Sequence, residues 1–314
     1  MSGVTAGGHV RILLSTYNGE AYLPDQLASF RHQTHGDWSL LWRDDGSGDA
    51  TEAMMAAFTA EVGDDRCRRL EMPPRKLGAR ESFLTLLRAA APALGPRDAV
   101  AFADQDDVWL PEKLERGVAA LAAVALEVPA LLCTRQMLVD AALAPFGESP
   151  AVRRAPGFPA ALTQNVATGC TILLNRAAAR LVAGSRAPET TLHDWWSYLV
   201  VSAAGGRVLV DPAPLVLYRQ HGANLVGAPA TLPGRAIGAL RRGPAKFMRI
   251  FRANLACLAA QPALLTEAAR RDVARLQTAL AGGWLARAQA LRMPGLRRQT
   301  PLGTLTFRLW FLLS

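Results

Sequence analysis

The sequence predicts an α/β fold, in which a parallel sheet is wound with helices and a basic helical region follows. Two observations predict the sheet: apolar segments recur along the first half of the chain, and each ends in a polar loop that leads into an amphipathic helix. A third observation concerns the C-terminal part, where apolar residues recur at helical spacing from Pro244 onward and arginines occupy the other faces. Half of the residues are hydrophobic, so the chain can bury a large core.

The elements follow in order along the chain. Strands are predicted at residues 10–14, 39–42 and 99–103, because these segments are apolar and end in polar residues. Further strands are predicted at 130–139, 167–174, 207–210 and 215–218, and residues 141–160 are expected to form a long loop. Predicted helices begin near Tyr22, Asp49, Glu81 and Pro111, one short helix ends near Leu181, and another begins at His193 and ends at Gly205.

Three carboxylates, Asp104, Asp106 and Asp107, follow the third predicted strand. Burying such groups without partners costs several kcal/mol each, so we expect them to face a cleft, a cation or both. Asp104 and Asp106 can be brought round one Mg²⁺ or Mn²⁺ that keeps positions open for phosphate oxygens. The alternative is a solvated acidic turn before the helix that Pro111 opens. The cluster favours chemistry on a diphosphate.

Polar loops after the first two strands suit a nucleobase. Tyr17 could stack on a base or be an ordinary core aromatic. Asp45 could satisfy turn amides or accept the imide proton of a pyrimidine. The basic loop at residues 73–80 precedes a helix, where basic groups suit an anion.

The positive charge is concentrated near the C-terminus. Residues 231–314 hold 14 Lys and Arg but only Glu267 and Asp272, a net charge of +12, whereas the remainder carries −3. This split predicts two units, residues 1–230 and residues 231–314. We expect the second unit to bind an anionic membrane surface, or else to pack on the first unit or on another copy of the chain.

Cysteine usage and hydropathy predict a cytoplasmic protein. The four cysteines form no CxxC pair, so neither a zinc site nor a disulfide framework is indicated. Arg, Glu or Pro interrupts each apolar stretch before it is long enough to span a bilayer, and we identify no signal peptide. We therefore expect a protein in the cytoplasm, attached peripherally to the inner face of the plasma membrane.

Five motifs, in this order, resemble those of the inverting family 2 glycosyltransferases, and the match is closest to their rhamnosyltransferase-like branch. The resemblance covers roughly residues 9–227. It implies a GT-A fold, a nucleotide diphosphate sugar donor such as dTDP-rhamnose or a UDP-sugar, Mg²⁺ or Mn²⁺, and a glycan or lipid-linked acceptor in cell-surface polysaccharide synthesis; no nucleic-acid partner is expected. The motifs are Ser15-Thr16-Tyr17-Asn18-Gly19, Asp44-Asp45-Gly46-Ser47, Asp104-Gln105-Asp106-Asp107-Val108-Trp109, His193-Asp194-Trp195-Trp196 and Tyr218-Arg219-Gln220-His221-Gly222.

The resemblance also implies roles for individual residues. Asp106 and His221 would bind the metal, and Asp194 would take the proton from the acceptor hydroxyl, a step that needs one carboxylate. Trp195 could offer a face to the acceptor sugar, whereas Trp196 is predicted to lie in the core. The donor-binding residues would be Ser15, Thr16, Tyr17, Asp45, Arg80, Asp104 and Asp107, with Asp104 on the ribose.

Two other functions remain open at the level of sequence. A nucleotidyltransferase could use the same acidic cluster for phosphoryl transfer on two metal ions. A non-enzymatic protein could bind a membrane or an acidic polymer through residues 231–314. The release of a nucleoside diphosphate from an intact nucleotide sugar would distinguish a glycosyltransferase from both.

Overall fold

The computed structural model describes residues 8–73, 75–221 and 232–314, and residues 232–242 by their backbone only. The strands in this part of the chain form one mixed sheet in the order β3-β2-β1-β4-β8-β6-β9-β5, and β7 pairs with β6 beside that path. The strands are β1 (Val10–Thr16), β2 (Trp38–Asp44), β3 (Cys67–Arg69), β4 (Ala99–Ala103), β5 (Val108–Trp109), β6 (Ala130–Val139), β7 (Pro145–Glu148), β8 (Leu173–Asn175) and β9 (Arg207–Arg219).

Helices cover both faces of this sheet. They are α1 (Leu23–Arg31), α2 (Thr51–Val62), α3 (Gly78–Ala90), α4 (Lys113–Ala122), α5 (Arg176–Ala183), α6 (His193–Ala203), α7 (Leu232–Ala259), α8 (Glu267–Ala281), α9 (Trp284–Ala290) and α10 (Pro301–Leu313). The helix α7 is kinked at Gly243, which has a φ of 69° and precedes Pro244.

The first four strands position the polar loops. Strands β1, β2, β3 and β4 run parallel, with Thr16 opposite Asp44 and Leu14 opposite Ala103. Because the carboxyl ends of parallel strands meet at one edge, the segments after β1, β2 and β4 lie side by side. This edge holds most of the residues predicted for the donor site.

Alternate residues of the strands enter two hydrophobic clusters. On one face Ile12 and Leu14 pack with apolar side chains of α1, α2 and α4. On the other face Leu13 and Phe102 pack with side chains of α3, α5 and α6, and the same cluster continues into α7–α10 through Phe251, Phe307 and Phe311. The apolar stripes of the C-terminal helices therefore extend the hydrophobic cluster on this side of the sheet.

Hydrogen bonds also join the C-terminal helices to the rest of the protein. The buried hydroxyl of Thr191 donates to Asn254 Oδ1 at 2.6 Å, and the amide of Thr266 donates to the carbonyl of Ala203 at 3.0 Å. The boundary predicted near 228–234 falls partly outside the described residues, and the division into two units stays a prediction. In the described ranges no helix combines the length and hydropathy that crossing a membrane needs.

The predicted α/β architecture is confirmed, and several element predictions needed correction. The short strands β3 and β5 were missed, and β7 lies inside the segment predicted as a loop. Residues 167–174 begin with a 3₁₀ turn at Gly169–Thr171 and only then enter β8. The two predicted segments at 207–210 and 215–218 form one strand, β9, whose pairing with β6 shifts register beside Pro214. Strands of two to four residues are too short for periodicity to reveal.

Candidate active site

The loop after β2 is organised by Asp44. Its carboxylate accepts hydrogen bonds from the amides of Gly46 and Ser47 at 2.8 and 2.7 Å and from the Thr16 hydroxyl at 2.8 Å. Gly46 adopts a φ of 91°, a conformation that favours glycine. The Thr16 side chain is fully buried and supports the loop, and its contact with the donor stays a prediction. Ser15, one residue earlier, is partly exposed.

Asp45 points into the protein and is 4% exposed. Its carboxylate pairs with the buried Arg43 guanidinium at 2.7 Å and accepts the amides of Leu77 and Gly78 at 2.6 and 2.8 Å. Burial raises its pKa, but these hydrogen bonds and the charge of Arg43 outweigh burial and lower the pKa below its usual value. In this structure Asp45 anchors the segment that leads into α3, and its contact with a base stays a prediction.

We expect Arg43→Met to destabilise the fold by about 3–5 kcal/mol, because the variant leaves the Asp45 carboxylate buried without its ion pair. Urea unfolding at neutral pH measures the change in the free energy of unfolding. The matched control is Arg69→Met, whose pair with Glu52 is about half exposed and should contribute no more than about 1 kcal/mol.

The pH dependence of the difference in unfolding free energy between wild type and Arg43→Met is a second readout. The pKa of Asp45 is lower in the folded than in the unfolded protein, so its stabilising contribution is present above the unfolded pKa and is lost as pH falls through the folded pKa. The gap between wild type and Arg43→Met should therefore shrink in acid. Equal losses for the two arginine variants at neutral pH would contradict the assignment.

Tyr17 is held at the edge of the sheet by Gln105. The Gln105 side chain accepts the Tyr17 amide at 2.8 Å and donates to its carbonyl at 2.9 Å. The Tyr17 ring is 42% exposed, and Lys76 Nζ lies 3.8 Å from its centroid. The ring is thus a surface aromatic and not a core residue, with a cation beside it. Arg80, also predicted to contact the donor, is partly exposed and pairs with Glu81 at 3.2 Å.

The acidic cluster lies directly after β4. Asp104 and Asp106 are partly exposed, and Asp106 Oδ2 lies 2.9 Å from His221 Nε2, so the two predicted metal ligands meet although 115 residues separate them. Burial and the negative charges of Asp106 and Asp194 raise the pKa of Asp104 to about 8. Carboxylate oxygens with an imidazole nitrogen form a donor set that Mg²⁺ and Mn²⁺ accept, and a cation would relieve the like-charge repulsion. The residues present therefore fit a divalent metal.

Asp107 does not share this exposed position. It is fully buried, accepts the Arg219 amide at 3.2 Å, and lies with Asp104 and Cys170 in a group whose potential ligand atoms are all within 4.8 Å of one another. Burial and the neighbouring carboxylates raise the pKa of Cys170, so its thiol stays protonated and is a poor metal ligand. In this structure Asp107 supports the start of the loop after β9 through the Arg219 amide, and its contact with the donor stays a prediction.

The sequence did not reveal that a lysine, Lys113, is buried. Lys113 is fully buried, and its Nζ lies 3.6 Å from the centroid of the Trp109 ring. Burial lowers the pKa of Lys113 to about 7, while the charges of Cys170 and Asp107 act in the opposite direction. A lysine in the first turn of an amphipathic helix carries no signal in sequence that it points inward.

Arg219 is a second residue that sequence reasoning left unassigned. Its guanidinium is buried, pairs with Asp25 at 2.7 Å, and donates from Nε to the carbonyl of Asp106 at 2.9 Å. It also lies 4.5 Å from the centroid of the Tyr22 ring, and that ring packs on His221 with centroids 4.6 Å apart. Arg219 thus fixes both the acidic loop and the end of β9 that carries His221. Its place in the last of the five motifs was the available signal.

Asp194 lies in the first turn of α6 and is 8% exposed. Its Oδ2 accepts a hydrogen bond from Asn165 Nδ2 at 3.1 Å, and its Oδ1 accepts the amide of Trp195 at 2.6 Å. Burial raises its pKa to about 6. The charge of Asp194 also contributes to the raised pKa of Asp104. Asn165, which orients it, follows the long loop and was not predicted.

The aromatic residues around Asp194 are mostly structural. Trp196 is fully buried and donates to Ser185 Oγ at 2.7 Å, which confirms its predicted core position. Trp195 is partly buried, and its indole donates to the carbonyl of Ala161 at 2.7 Å, so its acceptor role stays a prediction. The His193 ring stacks on Phe83 with centroids 4.1 Å apart, and burial lowers its pKa to about 3. His193 is therefore neutral at physiological pH.

Comparison of the sequence with known proteins finds similarity to glycosyltransferases. Residues 11–145 match the model of glycosyl transferase family 2. The chain is 27% identical over 228 residues to the dTDP-rhamnosyl transferase RfbG of Shigella flexneri, an alignment that covers 68% of this chain and 74% of that protein.

Two solved structures share the fold. The first is S. aureus TarS 1–349 in complex with UDP-GlcNAc, with a TM-score of 0.58, 15% identity, and coverage of 84% of this chain and 70% of that one. The second is the mannosyltransferase PcManGT from Pyrobaculum calidifontis in complex with GDP-Man and Mn²⁺, with a TM-score of 0.52, 17% identity, and coverage of 98% and 88%. These similarities confirm the predicted GT-A architecture.

Proposed function

From the premise that this chain is a family 2 glycosyltransferase, we propose that it transfers a sugar, with inversion, from a nucleotide diphosphate sugar to a hydroxyl of a glycan or lipid-linked acceptor. One observation carries the proposal: Asp106 Oδ2 lies 2.9 Å from His221 Nε2 after β4, and the charge of Asp194 acts on Asp104 of the same acidic cluster. The site thus places groups suited to a diphosphate beside a group suited to proton removal.

The donor would lie across the edge formed by β1, β2 and β4. The exposed ring of Tyr17, with Lys76 beside it, is the surface available for stacking of the base. Asp104 would accept hydrogen bonds from the ribose hydroxyls, and Arg80 would approach the diphosphate as a cation. Ser15 borders the same edge, whereas Thr16, Asp45 and Asp107 act by holding the loops in place.

Asp106 and His221 would hold a divalent cation, Mg²⁺ or Mn²⁺, which when bound stabilises the negative charge that develops on the leaving diphosphate. Arg219 keeps the Asp106 loop in place through the carbonyl of that residue. No protein acid is required for departure of the nucleotide, so the remaining chemical task is proton removal from the acceptor.

Asp194 would perform that task. It would orient the acceptor hydroxyl and take its proton as the oxygen attacks the anomeric carbon from the face opposite the nucleotide. Asn165 holds the carboxylate by one oxygen, and a pKa of about 6 leaves the group mostly ionised at neutral pH but more basic than an exposed carboxylate. A single base on one side of the sugar fits inversion.

The donor is proposed to be dTDP-rhamnose, with a UDP-sugar as the second choice. RfbG, a dTDP-rhamnosyl transferase, aligns over 68% of this chain. In a panel of nucleotide diphosphate sugars with Mn²⁺, dTDP-rhamnose should give the largest rise in Tm and be consumed with release of dTDP. Release of pyrophosphate or of a nucleoside monophosphate would instead indicate nucleotidyl or phosphoryl transfer, and the absence of turnover with every donor would contradict the proposal.

We expect His221→Ala to weaken metal-dependent turnover by about 10–100-fold, less than the loss of Asp106, because the carboxylate and the phosphates still supply oxygen ligands. Raising the Mn²⁺ concentration should restore part of the activity. Turnover and Mn²⁺ dependence are measured beside His32→Ala, which changes an exposed histidine at the end of α1. Full activity at limiting Mn²⁺ would mean that His221 is not a ligand.

We propose further that the enzyme works at the cytoplasmic face of the plasma membrane, where a lipid-linked acceptor would be presented. The basic C-terminal part supports this location, since its net charge of +12 favours an anionic surface.

A further inference from the structure

One face of helix α10 is buried in the core, and the opposite face is exposed to solvent. Phe307 and Phe311 are fully buried and pack on Phe251, with centroids 5.8 and 5.7 Å apart. The opposite side carries a row of leucines at helical spacing that are 51–82% exposed: Leu302, Leu305, Leu309 and Leu313. Because the inner face is fixed in the core, this leucine row points outward as a permanent feature of the surface.

Exposed arginines lie on α10 and in the segment before it. Arg308 is exposed on α10 beside the row, and Arg292 and Arg297 are exposed in the segment that precedes the helix. Residues 273–314 contain six arginines and no acidic residue. An apolar row flanked by cations and free of carboxylates is the pattern of a helix that lies in the headgroup region of an anionic bilayer.

A neighbouring helix adds to the apolar surface. Helix α9 packs against α10, and Arg287 donates to the carbonyl of Leu312 at 3.2 Å. At the start of α9, Trp284 and Leu285 are 68% and 67% exposed. Tryptophan favours the membrane–water interface, where its apolar ring and polar N–H are both accommodated.

From these observations we infer that the leucine row of α10 and its flanking arginines form a docking surface for a bilayer that contains anionic phospholipids. A second copy of this chain fits less well, because a symmetric contact would bring the same arginines together and residues 273–314 offer no acidic residue to pair with them. Residues 302–313 span about 16 Å of helix, long enough to lie along a surface but not to cross a bilayer.

Flotation of the full chain with lipid vesicles tests the inference. We expect binding to vesicles of phosphatidylcholine with phosphatidylglycerol, little binding to phosphatidylcholine alone, and weakening when salt is raised from about 0.1 to 0.5 M. Leu305→Ser combined with Leu309→Ser should lower the bound fraction at least tenfold. The matched control is Leu126→Ser, which removes a 39% exposed leucine between α4 and β6 and should bind as wild type.

Circular dichroism and Tm verify that the double variant is folded, and Arg308→Gln gives an independent variant that should reduce binding to anionic vesicles and leave Tm unchanged. The surface assignment is overturned if the full chain does not float with anionic vesicles, if it binds neutral vesicles equally, or if the double variant binds as wild type. Conversion of a wild-type dimer to a monomer by the double variant would also overturn it, in favour of a second copy. No donor, metal or acceptor is present, so the outcome is independent of the proposed reaction.

Discussion

Asp194→Asn is expected to lower kcat by about 10²–10⁴-fold while the affinity for the donor stays within about twofold of wild type. The amide keeps the shape of the carboxylate and can still accept a hydrogen bond, but it cannot take the proton of the acceptor hydroxyl. Donor affinity is measured by calorimetry with Mn²⁺, and turnover by release of the nucleoside diphosphate at saturating acceptor. Asp140→Asn, an exposed turn carboxylate after β6, is the matched control.

The pH profile gives this prediction a second readout. A base must be deprotonated, and burial sets the pKa of Asp194 at about 6, so the turnover of the wild type should fall about tenfold per pH unit below that value. The Asn165 side-chain amide and the Trp195 backbone amide donate to this carboxylate, and its charge interacts with that of Asp104. The Asn variant should lack the acid limb. Equal losses of donor affinity and turnover would identify Asp194 as a donor ligand or a structural residue instead.

Asp106→Ala is expected to abolish measurable transfer, at least a 10³-fold loss, together with the part of donor affinity that depends on metal. The variant removes the carboxylate that His221 contacts, and the buried Asp107 lies too deep to replace it. The measurement is a titration of nucleotide sugar with and without Mn²⁺. Residual metal-independent affinity should survive, because the base and ribose contacts do not involve Asp106.

The control for this variant is Glu127→Ala, which removes a carboxylate that is 88% exposed near the start of β6. Its affinity for the nucleotide sugar, with and without Mn²⁺, should match that of wild type. An Asp106→Ala protein whose donor affinity still rises with Mn²⁺ to the wild-type extent would remove the assignment of Asp106 as a ligand. Folding of both variants is followed by Tm, which should change by only a few degrees since Asp106 is partly exposed.

Three of the four parallel strands, β1, β2 and β4, were predictable from sequence because they are apolar, have five to seven residues and end in a turn signal. Strands β1, β2 and β4 lie within two residues of their predicted bounds. The strand β5 has two residues, and its pairing with β9 is set by the tertiary fold and not by local pattern. The leucine row of α10 was visible in sequence as apolar content, but which side is buried depends on Phe251 and the rest of the core.

The candidate site was likewise predictable from sequence in part. The five motifs assigned Asp106 and His221 to one metal site, and the two side chains lie 2.9 Å apart although no local pattern links them. The motifs did not show that Asp106 is partly exposed whereas Asp107 is buried. Asp45 and Thr16 were assigned to the donor for the same reason: a polar residue at the end of a strand is equally suited to a ligand or to a loop amide.

The shared core of the sheet and the C-terminal helices has a consequence for how the protein is made. Phe307 and Phe311 belong to the same hydrophobic cluster as Leu13 and Phe102, which are made long before them. Until the ribosome has made α10, this cluster lacks part of its cover, and exposed apolar surface of this kind favours aggregation. A protein truncated before α10 would keep Asp106, Asp194 and His221 but lose part of the core that supports them.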